Sequence, residues 1–123
     1  NRIHVTTREG KFLKEFKLAE HTGVGGATGG VGFSPDKQQK FLYISDLTNN
    51  HIYFLDRESG KEVGRMGSMG ESGGSFWGLH MIAVDSKGNI YTTETYEGKR
   101  VQKFVYKGVG NVPRNQGVAW PKK

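Results

Sequence analysis

A short sequence pattern recurs in this chain of 123 residues with a period of about 49. Ile3, Ile52 and Val101 lie 49 residues apart, and each is flanked by polar or aromatic residues. A second register agrees, because 48 residues separate Tyr43 from Tyr91. Periods of this length are typical of proteins that stack supersecondary units. The repeat therefore constrains the architecture, although it does not by itself specify an activity.

The segments between the turn residues have the composition of short β-strands. They are rich in β-branched and aromatic residues, and none keeps an apolar period of 3.6 over a dozen residues. In the third copy we predict strands at 79–84, 90–95 and 100–106, and in the second copy the turn at 58–61 leads into a further strand at 62–66. Tight turns join antiparallel neighbours, so the sequence predicts four-stranded antiparallel meanders.

Two glycine-rich stretches, residues 23–32 and 67–78, connect consecutive units. Such a connection crosses from the outer strand of one sheet to the inner strand of the next, where glycine allows a close backbone approach. A four-stranded meander repeated with this linkage is the pattern of a β-propeller blade. The predicted fold is therefore all-β, with about two and a half blades.

The blade boundaries follow from the repeat. Residues 1–107 form the blades: 1–22 are predicted to be the outer strands of the first blade, 27–70 a complete blade, and 77–107 a third blade. Residues 108–123 are a C-terminal tail without repeat features and a candidate for one more outer strand. Because the chain begins inside a repeat, we expect other polypeptide or further copies to supply the remaining blades and close the ring.

The third copy carries the residues of an NHL repeat. The signature is an inner strand that ends in Val-Asp, a Gly-Asn turn, a strand that contains Tyr and ends in an acid, and then a basic residue, a branched aliphatic and an aromatic: Val84, Asp85, Gly88, Asn89, Tyr91, Glu94, Arg100, Val101 and Phe104. The second copy departs by a turn two residues longer and by His51 in place of the arginine. The chain resembles an NHL-repeat β-propeller, which implies a ring of about six blades.

Within that family, residues 78–85 are similar to bacterial propellers grouped with the peptidyl-α-hydroxyglycine α-amidating lyases. The resemblance implies a secreted or periplasmic protein whose inner-strand histidines face the central channel and bind zinc. His80 is the residue that matches, and its counterpart in the preceding copy is Gly29 or Gly30. Because a catalytic zinc takes about three protein ligands, His80 is a candidate ligand for zinc or calcium but not a complete site.

Asp46 and Glu94 occupy equivalent places after the second strand of their units. Two carboxylates can perform acid–base chemistry when they are close together and their pKa values differ. Recurrence in every copy instead favours a structural role, such as accepting backbone N–H groups or pairing with Arg100. We predict such structural roles for Asp46, Glu94, Arg100 and Asp85.

Composition excludes several other functions. The chain has no cysteine, so thiol catalysis and thiolate metal sites are absent. The glycine stretch 23–32 has neither the spacing nor the lysine of a phosphate loop. No apolar run approaches the roughly 18 residues of a membrane span. The net charge of +6 comes largely from scattered lysines and arginines, which is typical of a solvated strand surface, so nucleic acid is not the expected partner.

Three functional hypotheses follow. The first is a scaffold that binds a peptide, a protein or a small ligand. The second is a metal-dependent lyase or hydrolase of the amidating-lyase type, with His80 as one ligand and the others outside this chain. The third is a basic propeller face that binds RNA. No catalytic residue is identified, and the sequence leaves open whether the chain is an enzyme.

Overall fold

The computed structural model describes residues 1–108. These residues form three antiparallel sheets and contain no helix: the first sheet is β1-β2, the middle sheet is β3-β4-β5-β6, and the third sheet is β7-β8-β9. The strands are β1 (Arg2–Thr6), β2 (Phe12–Lys17), β3 (Val31–Phe33), β4 (Phe41–Asp46), β5 (His51–Asp56), β6 (Glu62–Met66), β7 (Leu79–Val84), β8 (Ile90–Glu94) and β9 (Val101–Phe104).

The predicted fold class is confirmed. Each sheet is a meander in which strands adjacent in sequence pair with each other. The middle sheet has the full four strands, and the other two, with two and three strands, are consistent with partial propeller blades. Residues 109–123 of the predicted C-terminal tail, with the candidate outer strand, lie outside the described residues. No helix that could cross a membrane occurs in residues 1–108.

The middle sheet is covered on both faces, because alternate residues of a strand point to opposite sides. One face packs against the first sheet through a buried cluster that consists of Phe16, Leu18, Leu42, Ile44, Tyr53 and Leu55. The opposite face packs against the third sheet and the linker before it, through Ile52, Phe76, Leu79, Ile82 and Ile90. Two apolar interfaces therefore stack the three sheets.

The middle and third sheets approach most closely where the first glycine-rich linker enters β3. A Cβ atom on Gly29 would lie 2.5 Å from the carbonyl oxygen of His80 in β7. Ser45 spans the same gap, since its hydroxyl donates to the His80 carbonyl at 2.7 Å and accepts from the Gly30 N–H at 2.7 Å. Glycines at the start of β3 and the small side chain of Ser45 thus allow the backbones of the middle and third sheets to come into contact.

We expect Gly29→Ala to destabilise the chain by about 2 kcal/mol, because overpacking against a backbone carbonyl forces the sheets apart. Urea unfolding followed by circular dichroism measures the change. Gly23→Ala is the matched control, because a Cβ atom there would meet no atom of residues 1–108 within 4 Å. Equal stability of the two variants would contradict the close approach.

Ser45 and Thr92 are both fully buried, but their hydroxyl groups differ in hydrogen bonding. Ser45 has the two bonds described above. Thr92 in β8 is equally buried, but its Oγ1 has no hydrogen-bond partner within the described residues. A buried hydroxyl without a partner costs free energy relative to a methyl group of the same shape.

Thr92→Val should therefore leave the free energy of unfolding unchanged or raise it by up to about 1 kcal/mol. Ser45→Ala should lower it by about 1–3 kcal/mol, since the Gly30 N–H would lose its partner. Thermal or urea unfolding of both variants decides this. A destabilised Thr92→Val protein would show that the hydroxyl is satisfied in solution.

Candidate functional site

His80 lies in β7 at a bulge, where the register with β8 shifts between Leu79 and Met81, and the residue is exposed. Within residues 1–108 no group of three His, Cys, Asp or Glu side chains is arranged to hold a metal ion. The described residues therefore do not form the three-ligand zinc site that the resemblance implies. Metal binding by His80 stays a prediction.

Glu94 and Arg100 form an ion pair at the outer end of the third sheet. Arg100 Nε donates to Glu94 Oε1 at 2.8 Å, and the carboxylate side chain is fully buried. The same carboxylate accepts the backbone N–H of Trp77 at 2.8 Å and the side-chain amide of Gln102 at 2.7 Å. Burial alone would raise the pKa of Glu94, but the hydrogen bonds from Arg100, Trp77 and Gln102 outweigh it and lower the pKa.

Arg100 also organises the linker between the middle and third sheets. Its guanidinium donates to the carbonyl of Ser75 at 2.7 Å, to that of Gly70 at 3.3 Å, and to the carbonyl of Glu71. At the same repeat position in the middle sheet, His51 Nδ1 is 2.9 Å from the Gly67 carbonyl oxygen. In both sheets this position bonds to linker backbone.

Asp46 is fully buried where β4 turns into β5. Its Oδ1 accepts the backbone N–H groups of Thr48 at 2.9 Å and Asn49 at 2.7 Å. Burial, together with this neighbouring carboxylate, raises the pKa of Tyr53 to about 12. Asp46 thus holds the turn after β4, whereas Glu94 connects the start of β9 with the linker before β7. Within residues 1–108 the hydrogen bonds of the two carboxylates share no partner.

Asp85 performs the same local task at the turn between β7 and β8. Its carboxylate accepts the N–H groups of Lys87 and Asn89, each at 2.9 Å, and the side-chain amide of Asn89 at 2.8 Å. The hydrogen bond from the Asn89 side chain is the main cause that lowers the pKa of Asp85. Four of the hairpin turns begin at such an aspartate: Asp36, Asp46, Asp56 and Asp85.

A groove of about 690 Å³ lies between the first sheet and the middle sheet. We call it the wedge groove, and its lining includes Ile3, Val5, Phe16, Val31, Phe33, Leu42, Lys14, Lys40, Asp56, Arg57 and Glu58. Its floor is apolar, with Val31 46% exposed and Phe33 41% exposed. The volume lies within the usual range for ligand pockets.

The rim of the wedge groove carries charges of both signs that already have partners. Lys14 Nζ donates to the backbone carbonyl of Glu58 at 2.6 Å. The Arg57 guanidinium lies over the Phe33 ring, 5.5 Å from its centroid, and donates to the Gln38 carbonyl. Asp56 accepts the N–H of Ser59 in the next turn. The groove therefore offers an apolar floor with fixed charges around it.

A smaller pocket of about 270 Å³ lies at the outer side of the first interface. Its lining includes His21, His51, Asn49, Tyr53 and Arg65. No motif or repeat in the sequence connects His21 with His51, although the two line one pocket. Contacts between a loop and a distant strand leave no periodic signal in the sequence.

Comparison with protein-family models and with curated proteins finds no match for this chain. The NHL resemblance therefore depends on the repeat residues themselves. The wedge groove was not predicted, although a signal was present: the inner-strand residues Val31 and Phe33 have no preceding inner strand in the first copy to pack against.

Glu94→Gln should destabilise the chain by about 3 kcal/mol at pH 7, because it removes one member of a buried ion pair. A carboxylate whose pKa is lowered in the folded state stabilises the fold at pH values above its ordinary pKa of 4.5. This stabilisation is lost as the pH falls through the folded-state pKa. The difference from wild type should therefore shrink below pH 4.5. Urea unfolding between pH 3 and pH 7, on the order of one point per half unit, measures it.

Glu97→Gln is the matched control for this substitution, since Glu97 is exposed and lies three residues further along the chain. We expect it to follow wild type at every pH. A pH-independent loss in Glu94→Gln would show that shape, and not charge, explains the effect.

Proposed function

We propose that this chain is a binding scaffold of NHL-type β-propeller architecture and that its ligand is a polypeptide segment held in the wedge groove. The observation that carries the proposal is the apolar floor of Val31 and Phe33, which is open to solvent beside the unpaired edge of β1. The repeat signature and the stacked antiparallel meanders support the propeller architecture.

The chemistry of the groove favours binding over catalysis. The charged side chains of the rim are engaged in hydrogen bonds and cation–π contacts, and these contacts fix their positions. An apolar surface with a few fixed polar groups is the usual character of a recognition site. The rim has both signs of charge, which suits a polypeptide better than a polyanion.

A polypeptide fits better than a small molecule because of the neighbouring strand edge. Within the described residues β1 pairs only with β2, so its other edge presents backbone N–H and C=O groups beside the groove. An extended peptide satisfies such groups by adding a strand, and its alternate side chains enter the adjoining pocket. A small ligand could fill the floor but would leave that edge unpaired.

The metal-dependent lyase remains the second candidate, and one observation favours it. His80 is exposed at a β-bulge of an inner strand, and bulges are frequent next to active sites. Its other ligands would have to come from outside residues 1–108. Elemental analysis separates the candidates, since stoichiometric zinc that is lost in His80→Ala would support the lyase.

Selection of displayed random peptides of about 12 residues on the immobilised chain tests the scaffold proposal. We expect enriched peptides whose affinity falls at least about tenfold in Val31→Glu, because the new carboxylate must be desolvated on the groove floor. Val63→Glu is the matched control, because Val63 is a similarly exposed valine on β6, 56% exposed and outside the groove lining. Peptides that bind both variants as tightly as wild type would contradict the proposal.

A further inference from the structure

We infer that the occupant of the wedge groove is a two-stranded antiparallel β-hairpin that pairs with the free edge of β1 and covers Val31 and Phe33 with small side chains. This deepens the proposed function and rests on it, because that proposal places a polypeptide in the groove. Three observations lead to the hairpin: an equivalent pair of residues that is covered, the backbone direction of β1, and the repeat position of β9.

The first observation is a comparison within the chain. Val31 and Phe33 in β3 hold the places in the middle sheet that Ile82 and Val84 in β7 hold in the third sheet. Val31 and Phe33 are 46% and 41% exposed, whereas Ile82 is 6% exposed and Val84 is half-buried. Ile82 and Val84 are less exposed because the hairpin β3-β4 packs over β7. Within the described residues no hairpin packs over Val31 and Phe33.

The covering hairpin shows what side chains the contact requires. A Cβ atom on Gly30 would lie 3.1 Å from the backbone nitrogen of Ile82, and one on Gly32 would lie 3.1 Å from Val84 Cγ2. Larger residues at these two places would separate the sheets. By the same geometry, a hairpin over Val31 and Phe33 needs glycine or another small residue opposite them.

The second observation concerns the backbone of β1. In the middle sheet its counterpart, β5, pairs with β4 on one side and β6 on the other. The carbonyl of Asn1 accepts the N–H of Leu18, so the backbone groups of Asn1 point toward β2. Because this direction alternates along an antiparallel strand, the backbone N–H and C=O groups of His4 and Thr6 point toward the opposite edge of β1. That edge adjoins the wedge groove, whose lining includes both residues. A strand equivalent to β4 would pair there.

The third observation argues against a second copy of this chain as the occupant. The face of the third sheet that packs against no other described strand has a similar mixture of residues, with Met81, Ala83 and Tyr91 on neighbouring strands. However, β9 and β1 hold the same repeat position, since Val101 is the equivalent of Ile3. If the third sheet of a second copy were placed over the groove in the same register, its β9 would occupy the space that β1 already fills. A hairpin without that third strand avoids the conflict.

The probe is a synthetic peptide with the sequence of residues 29–46, which contains β3 and β4. It is added to the isotope-labelled whole chain, and backbone amide shifts are followed by NMR. We expect saturable shifts at His4, Thr6, Val31 and Phe33, with a dissociation constant on the order of 100 μM or tighter. Shifts confined to Ile82 and Val84 would mean exchange with the chain's own hairpin and would overturn the inference.

Two N-methylated peptides test the strand pairing. In the chain the Ser45 N–H faces β3, so the neighbouring N–H of Ile44 faces β5. N-methylation at Ile44 therefore blocks pairing with β1, and we expect at least about tenfold weaker binding. N-methylation at Phe33 is the matched control, because that N–H faces away from β4. Equal affinity of the two peptides would overturn the edge pairing.

A third peptide tests whether small side chains are required opposite Val31 and Phe33. Gly32→Leu in the peptide should reduce affinity at least about tenfold, because the added side chain meets the groove floor. Unchanged affinity would overturn the requirement for small residues.

The remaining outcomes separate the two proposals. If the hairpin peptide does not bind but display-selected peptides do and respond to Val31→Glu, the hairpin is wrong and the scaffold stands. If neither binds, both are wrong. Concentration-dependent dimers that are lost in Val31→Glu would identify a second copy as the occupant and overturn the hairpin.

Discussion

The contact between the glycine edge of the middle sheet and β7 sets the spacing of the whole stack. At Gly29 and Gly30 the backbone of one sheet lies against the backbone of the next, and Ser45 joins them by hydrogen bonds. The apolar cluster around Phe76 and Ile82 fills the space that this spacing leaves. Hydrophobic burial supplies the larger part of the free energy, but it is not directional, so the backbone contact determines the geometry.

Much of the fold could be predicted because strands and turns are encoded locally. The prediction of a strand at 79–84 coincides with β7, and the predicted strand at 62–66 coincides with β6. The aspartates that begin the turns accept N–H groups two or three residues ahead, which is a short-range interaction visible in sequence. The glycine-rich linkers also indicated a close passage, and Gly29 provides it.

The candidate site was less predictable because it depends on contacts between sheets. His80 was identified by a resemblance, and the described residues around it do not add further ligands. The wedge groove arises where, within the described residues, no strand packs over the two apolar residues Val31 and Phe33 of β3, and this depends on how the sheets stack. The hydrogen bonds of Arg100 with linker carbonyls were equally hidden, since the linker has an irregular backbone with glycines at positive φ.

The position of Arg100 has a consequence for cooperativity. The linker that leaves the middle sheet owes its order to a side chain adjoining β9, about 25 to 30 residues further along the chain. If the end of the third sheet frays, the linker carbonyls lose their shared donor, and Phe76 in that linker loses its anchor in the second interface. The linker and the third sheet should then open as a single unit, so the boundary between independently opening parts lies after β6 and not before β7.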